Sequence, residues 1–217
     1  MKKYLLAGAL AAAASVPAQA AVSITYQGGV SPTPAGLTIV EDFESYAPGF
    51  SIGTNARVFS GSEEGVAARP AFNSTGNFGA ILGEPVDGTA TYTFARAVGI
   101  FSFVLGSLDT YNTLTLNFID GTSQVLAGGA IKNDPVFDSG NQTIPDTNGR
   151  VTYNVNGGPR IASVTFQSTQ NSFEFDNFAV GSIPEPATWA MMVLGFGVLG
   201  SALRGRRRRQ GIAHTFA

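Results

Sequence analysis

Carboxylates are the groups in this sequence with the clearest catalytic potential. The chain has no cysteine, and its single histidine, His214, follows an arginine run near the C-terminus. A Ser-His-Asp triad, a cysteine nucleophile and zinc held by histidine or thiolate are therefore excluded for the rest of the chain. Paired carboxylates could serve glycoside hydrolysis, and the nearest pairs are Glu63 with Glu64 and Glu84 with Asp87. Both pairs lie in turn-like sequence, where carboxylates are usually solvated, so we expect a protein that is not an enzyme.

Two acidic segments could hold a cation instead. Glu41-Asp42-Phe43-Glu44 lies early in the chain, and Glu174-Phe175-Asp176-Asn177 lies late. If both are strands with the phenylalanines inward, the opposite face carries Asp42, Glu44, Glu174 and Asp176. The first and last strands of a jelly roll commonly run side by side, so these oxygens could join backbone carbonyls around calcium. The alternative is two solvated acidic strand ends.

The segments that position these carboxylates are predicted to be β-strands. Apolar and polar residues alternate with period two, as in half-buried strands, and 100–105 is continuously apolar, as in a central strand. The alternating segments are Thr89–Phe94, Thr113–Phe118, Arg150–Val155, Ile161–Phe166 and Ser172–Val180. Asp120-Gly121 predicts a hairpin between 114–119 and 122–126. Residues 27–36 and 132–148 read as longer loops.

The spacing of the strands and turns sets the fold class. We predict an all-β, antiparallel β-sandwich or jelly roll of roughly 8–10 strands, because no amphipathic helix separates the strands. An N-terminal signal helix and one C-terminal transmembrane helix complete the prediction. The absence of cysteine excludes disulfides, so the domain must be stabilised by packing, with a bound metal ion as a further candidate.

The predicted domain, residues 21–182, is strongly acidic. It has six basic and fourteen acidic residues, a net charge of −8, although the whole chain sums to −2. Such a domain repels nucleic-acid phosphates, so nucleic-acid binding is discarded.

The N-terminus has the three parts of a secretory signal peptide. Lys2 and Lys3 precede the apolar stretch Tyr4–Ala14, and Ala18 and Ala20 present small residues to signal peptidase. We expect cleavage after Ala20, which makes residues 1–20 the signal peptide. The alternative is a buried N-terminal helix.

The C-terminal part, residues 183–209, has the three parts of a membrane-anchoring signal. Pro184, Glu185 and Pro186 end the domain, and 187–203 is a stretch of 17 uncharged residues, at the short limit for a membrane helix. The arginine cluster that follows favours the cytoplasmic side and comprises Arg204, Arg206, Arg207, Arg208 and Arg209. The domain would therefore face outward, with residues 210–217 as a cytoplasmic tail.

This order of elements resembles the PEP-CTERM sorting signal in its PEPxxWA form, which 184–190 matches with Trp189 and Ala190. The resemblance implies recognition by the membrane-embedded transpeptidase exosortase and processing near the motif. It also implies delivery to the surface or biofilm matrix of exopolysaccharide-producing Gram-negative bacteria. The extra residues 210–217 depart from the usual pattern. A plain single-pass anchor is the alternative, but it leaves the motif unexplained.

The segments Asp42–Ser45 and Phe175–Asn177 resemble those of jelly-roll carbohydrate-binding modules, in which a Glu and an Asp hold structural calcium. The resemblance implies Glu44 and Asp176 as ligands, with Glu41 or Asp42 after them. Residues 106–116 also resemble exported PEP-CTERM proteins of unassigned activity.

Exposed aromatic rings could stack on sugars, and the candidates are Tyr46, Phe50, Tyr92 and Tyr111. We therefore expect a non-enzymatic, exosortase-sorted protein of the cell surface or extracellular matrix, with exopolysaccharide as the candidate ligand. A small secreted carbohydrate-active enzyme and a purely structural coat protein remain open.

Overall fold

The computed structural model of the chain describes residues 21–181 and 194–196. Twelve strands and one 3₁₀ helix, η1, form residues 21–181, more strands than the roughly 8–10 predicted. In chain order they are β1 (Val22–Gly28), β2 (Thr38–Glu41), β3 (Ser51–Gly53), β4 (Ala56–Phe59), β5 (Phe78–Ile81), β6 (Gly88–Val98), β7 (Ile100–Leu105), β8 (Asn112–Phe118), β9 (Ser123–Ala127), η1 (Gly128–Lys132), β10 (Gly149–Val155), β11 (Ile161–Ser168) and β12 (Phe173–Gly181).

The strands form two packed antiparallel sheets, which confirms the predicted β-sandwich. Sheet A has the order β1-β10-β7-β12-β5-β4-β3, with β2 as an additional partner of β12. Sheet B has the order β6-β11-β8-β9. Because β5 pairs with the start of β12 and β2 with its end, these two short strands share one edge of β12. This arrangement makes β12 the centre of the larger sheet.

The alternating segments of the sequence are strands of this sandwich. On β8, Leu114, Leu116 and Phe118 are buried while the residues between them are partly exposed. That pattern is expected for a strand with one face on the core. β7 is almost continuously buried, as predicted, because it lies between β10 and β12.

The predicted hairpin at Asp120-Gly121 is also present. β8 pairs with β9 in register from Thr113 opposite Ala127 to Asn117 opposite Ser123. Gly121 has a φ of 84°, a conformation that glycine adopts without steric cost. The Asp120 carboxylate accepts hydrogen bonds from the backbone N–H and hydroxyl of Thr122, at 3.0 and 2.7 Å. The turn is therefore fixed by its own sequence.

Phenylalanine rings fill the space between the sheets. Phe166 of sheet B stacks on Phe178 of sheet A at 5.4 Å and meets Phe103 edge-on at 5.3 Å. The buried Tyr153 donates a 2.7 Å hydrogen bond from its hydroxyl to the carbonyl of Ile131, which ties η1 to the core. Large aromatic rings contribute most of the apolar area that such a core removes from water.

The predicted loop after η1 folds around a buried lysine. Lys132 is 3% exposed, and its ammonium group contacts Asp146 at 2.7 Å and Asp134 at 3.0 Å. The rings of Tyr26 and Phe137 lie within 5.6 Å of the same nitrogen. Paired charge and aromatic faces together compensate for burying the lysine.

Both predicted targeting segments lie largely outside the described residues. The signal peptide, 1–20, is not described, and of the predicted membrane span, 187–203, only the helical residues 194–196 are. Among the described residues, no helix has the length and apolar character needed to cross a membrane.

Candidate functional site

The segment after β2 makes a tight turn rather than continuing as a strand. β2 ends at Glu41, and Phe43 has a φ of 60°, so the prediction of a strand through Glu44 is wrong. Side chains cap the turn: Glu41 Oε1 accepts from the Phe43 N–H at 2.8 Å, and Asp42 Oδ1 accepts from the Glu44 N–H at 3.1 Å. Phe43 nevertheless points into the core, as predicted, and is 3% exposed.

This turn forms one wall of an aromatic pocket of about 300 Å³. Tyr46 and Phe50 stack on each other with ring centroids 4.7 Å apart and planes at 24°. Tyr92, from β6 of the other sheet, lines the pocket with them. The structure therefore brings together three of the four aromatic residues that the sequence singled out.

The floor of the aromatic pocket is part of the core. Phe43 and Phe178 are both buried and contact each other edge-on at 5.4 Å. Tyr92 meets Phe178 at 5.3 Å, so the pocket lies where the two sheets face each other. Phe50, by contrast, is 49% exposed at the rim.

Glu41 alone carries a charge among the described residues that line this pocket. Its Oε2 accepts a 3.2 Å hydrogen bond from the Tyr46 hydroxyl. The Glu41 charge is the main cause of the raised pKa of Tyr46, followed by burial. Burial and then the Glu41 charge raise the pKa of Tyr92. The carboxylate therefore acts electrostatically on both walls.

The fourth aromatic candidate, Tyr111, lines a separate polar pocket of about 410 Å³. Four carboxylates share its lining: Glu63, Glu64, Asp109 and Glu174. The Tyr111 hydroxyl donates to the carbonyl of Asn171 at 2.8 Å. Burial first, then Asp109, raises the pKa of Tyr111. Glu84 and Asp87, the other predicted carboxylate pair, are exposed just before β6.

Glu174 is the most constrained group of the polar pocket. It is 2% exposed and accepts hydrogen bonds from the Ala68 N–H at 2.9 Å, from Ser107 Oγ at 3.2 Å and from the Ser172 hydroxyl. Burial raises its pKa to about 6, although these hydrogen bonds oppose the shift. Burial likewise raises the pKa of Asp109, which accepts from Ser139 Oγ at 3.1 Å. The alternative of a solvated acidic strand end is wrong for Glu174, since β12 is buried on both faces there.

Asp176 lies where β12 changes partners. The β5 pairing ends at Phe175 and the β2 pairing begins at Phe178, and the register with β7 also shifts between Asp176 and Ala179. The loop around Asn73 meets this interruption, since Asn177 Nδ2 donates to the Asn73 carbonyl at 3.0 Å.

Two buried oxygens at this interruption make no hydrogen bond of normal geometry among the described residues. They are Asp176 Oδ2 and Ser74 Oγ, on side chains that are 0% and 9% exposed. Burial raises the pKa of Asp176 to about 7; weak hydrogen bonding from the adjacent Ser74 hydroxyl lowers it, and the Glu44 charge raises it. Glu44 therefore lies close enough to Asp176 to interact with it electrostatically.

These positions bear on the predicted calcium site. Glu44 and Asp176 occupy one region, whereas Glu41 faces the aromatic pocket and Asp42 caps the turn. No cluster of three or more His, Cys, Asp or Glu side chains suited to a metal occurs in the described part of the chain. A cation would therefore rest on two carboxylates, the Ser74 hydroxyl and backbone oxygens, and the unpaired Asp176 Oδ2 fits that role. Ser74 gave no signal in the sequence, because it is an isolated serine in a loop.

Comparison with known protein families identifies the C-terminal segment. Residues 182–209 match the PEP-CTERM protein-sorting motif. No curated protein is similar to the chain. The motif defines an exported protein that is anchored in the membrane before exosortase processes it, as the sequence indicated.

Proposed function

We propose that this exported protein is a non-enzymatic polysaccharide-binding protein of the cell surface or extracellular matrix. The observation that carries the proposal is the stacked Tyr46–Phe50 pair, which lines an open pocket together with Tyr92. Flat aromatic faces suit the apolar faces of sugar rings, and tyrosine hydroxyls and a carboxylate can hydrogen-bond to sugar hydroxyls. The pocket volume is at the lower end of the range for ligand sites, which suits one or two sugar residues.

The position of the sorting motif supports the same proposal. β12 ends at Gly181, and the motif begins at residue 182. Processing near the motif would release the whole sandwich, including the pocket, from its anchor. The pocket would then be free to meet a polymer outside the cell.

The test is a binding titration of the processed protein with fragments of the exopolysaccharide made by the producing cells. Phe50→Ala should weaken binding by about tenfold or more, because it removes the exposed ring of the stacked pair. Ile119→Ala is the matched control, since Ile119 is also exposed but lies at the β8–β9 hairpin. Absence of binding by the wild-type protein, or equal binding by both variants, would reject the proposal.

We also propose that calcium stabilises the domain at Asp176. Asp176 and Glu44 would supply carboxylates and Ser74 its hydroxyl. The cation would neutralise the buried carboxylate and connect the turn after β2 to β12. The unpaired Asp176 Oδ2 supports this, although the buried Arg150 also interacts electrostatically with Asp176.

A carbohydrate-active enzyme is the second candidate, and the polar pocket favours it. Two carboxylates with raised pKa values in one pocket, Glu174 and Asp109, are typical of acid–base sites. The three hydrogen bonds to Glu174 do not distinguish the two roles, because a purely structural carboxylate would accept the same bonds. Release of reducing ends from the polysaccharide, lost in Glu174→Gln, would establish this activity in place of simple binding.

A further inference from the structure

The electrostatics of the aromatic pocket restrict which sugar it can accept. This inference rests on the proposed polysaccharide binding at the same pocket. Residues 21–182 carry a net charge of −8, and Glu41 is the charged group in the described lining. An acidic sugar would place a second carboxylate near Glu41 without a cation beside it, and the two like charges would repel each other. The pocket therefore disfavours uronic acids.

The same arrangement favours a positive charge. Glu41 uses one oxygen for the Phe43 N–H and the other for the Tyr46 hydroxyl. An ionised carboxylate has about four acceptor positions, so two remain for a ligand. Tyr46, Phe50 and Tyr92 line the same pocket, and the faces of aromatic rings attract a cation within about 6 Å.

We propose that the pocket recognises an amino sugar in its protonated form. The ammonium group binds to Glu41, and the sugar ring lies against the Tyr46–Phe50 pair. A bare metal ion fits less well, because the other walls are mainly aromatic and aliphatic and supply few oxygens. The attached sugar ring uses the aromatic surface that a metal ion would leave uncovered.

The test compares four oligosaccharides of equal length with the processed protein. They are an oligomer of glucosamine, its N-acetylated form, a neutral glucose oligomer and a uronic acid oligomer. We expect the glucosamine oligomer to bind at least tenfold more tightly than its N-acetylated form, and the uronic acid oligomer to bind most weakly. Isothermal titration at low and high salt measures the affinities, and high salt should reduce the preference.

Glu41→Gln is the decisive variant, because its amide oxygen can still accept from the Phe43 N–H. We expect it to remove the preference for the free amine: the glucosamine oligomer should lose at least tenfold in affinity and the N-acetylated oligomer much less, so that the two bind alike. Asp120→Asn is the control, since it removes one charge at the distant β8–β9 hairpin and should leave the preference intact. Thermal unfolding of both variants checks that they are folded.

The outcomes separate this inference from the proposed function. Equal binding of the amine and N-acetyl oligomers by wild type overturns amino-sugar recognition but leaves polysaccharide binding in place. A preference that persists in Glu41→Gln, or disappears in Asp120→Asn, shows general charge attraction and also overturns it. Absence of binding to all four oligomers and to the producing cells' exopolysaccharide removes both proposals.

Discussion

Tyr92 of β6 packs edge-on against Phe178 of β12, with ring centroids 5.3 Å apart and planes at 84°. This contact joins the two sheets at the floor of the aromatic pocket. Tyr92 both lines the pocket and packs against the core. A substitution at this position can therefore affect ligand binding, stability or both, depending on which part of the side chain it removes.

Tyr92→Ala should reduce both stability and ligand binding. Because the ring is partly exposed, we expect a loss of about 2 kcal/mol, below the usual cost of a fully buried aromatic ring. Tyr92→Phe should change stability by less than about 1 kcal/mol, since the hydroxyl makes only a long 3.4 Å hydrogen bond to the Val40 carbonyl. Urea unfolding measures both, and equal losses in the two variants would show that the hydroxyl matters more than the ring.

Tyr153→Phe should destabilise the domain by about 1–3 kcal/mol. The substitution leaves the Ile131 carbonyl without its buried donor, and water cannot easily replace it. Tyr26→Phe is the matched control: its hydroxyl also donates to a carbonyl, that of Pro145 at 2.6 Å, but at an exposed position. Urea unfolding should show the smaller loss for Tyr26→Phe, and the reverse order would contradict the role given to burial.

The Lys132 cluster should make the domain sensitive to acid. The Lys132 ammonium lowers the pKa of Asp134 and Asp146 from their ordinary value of 3.8. A carboxylate with a lowered folded-state pKa adds stability above pH 3.8, and that contribution is lost as the pH falls through the folded-state pKa. Stability should therefore fall with decreasing pH below about 4, while the neighbouring Tyr26 phenol stays protonated.

Lys132→Met tests this origin of the acid sensitivity. The variant removes the cation while keeping an apolar chain against Tyr26 and Phe137. Urea unfolding at several pH values between about 2 and 5 gives the free energy of unfolding at each pH. This free energy should depend less steeply on pH in the variant than in wild type. Some dependence of stability on pH should remain, because the pKa of Asp120 is also lowered, through hydrogen bonds from Thr122. If the free energy of unfolding depends on pH equally steeply in variant and wild type, other carboxylates cause the acid sensitivity.

Calcium should raise the thermal midpoint of the wild-type domain relative to chelator. At about a hundredfold excess over its dissociation constant, a ligand that binds only the folded state adds about 2.7 kcal/mol. Asp176→Asn should abolish the effect and Ser74→Ala should reduce it. Asp42→Asn should keep it, since Asp42 caps the turn after β2. Identical midpoints in calcium and chelator, for both wild type and Asp176→Asn, would eliminate the calcium site.

Glu185→Gln should impair sorting, because it alters the centre of the Pro-Glu-Pro motif within the matched segment. Deletion of the exosortase should have the same effect. Mass spectrometry of the mature C-terminus and cell fractionation measure the result. If the C-terminus and the location stay unchanged in both cases, the segment acts as an ordinary anchor.

Most of the longer strands were predictable from the sequence, and the short ones were not. β8 and β10 have seven residues each, enough for period-two alternation to show. β2, β3, β4 and β5 have only three or four residues, and their pairing with neighbours determines them. Among the strands that the sequence did not single out, β3, β4 and β5 belong to this class, whereas β1 has seven residues.

The candidate site was predictable to a similar extent. Composition indicated Tyr46, Phe50 and Tyr92 as exposed aromatics, but not that two sheets would place them around one pocket. Glu41 was expected near a metal, whereas the turn at Phe43 directs it to the aromatic residues. The turn depends on a positive φ at a phenylalanine, which residue propensities do not predict.

The central position of β12 has a consequence for the order of folding. β12 is the last strand of the sandwich, and it lies between β7 on one side and β5 and β2 on the other. The larger sheet cannot close until this strand is in place, since its neighbours lack their shared partner until then. Completion of the core therefore depends on contacts between segments far apart in the chain, including the residues directly before the sorting motif. The strand that completes the fold and the motif that directs sorting are neighbours in the sequence.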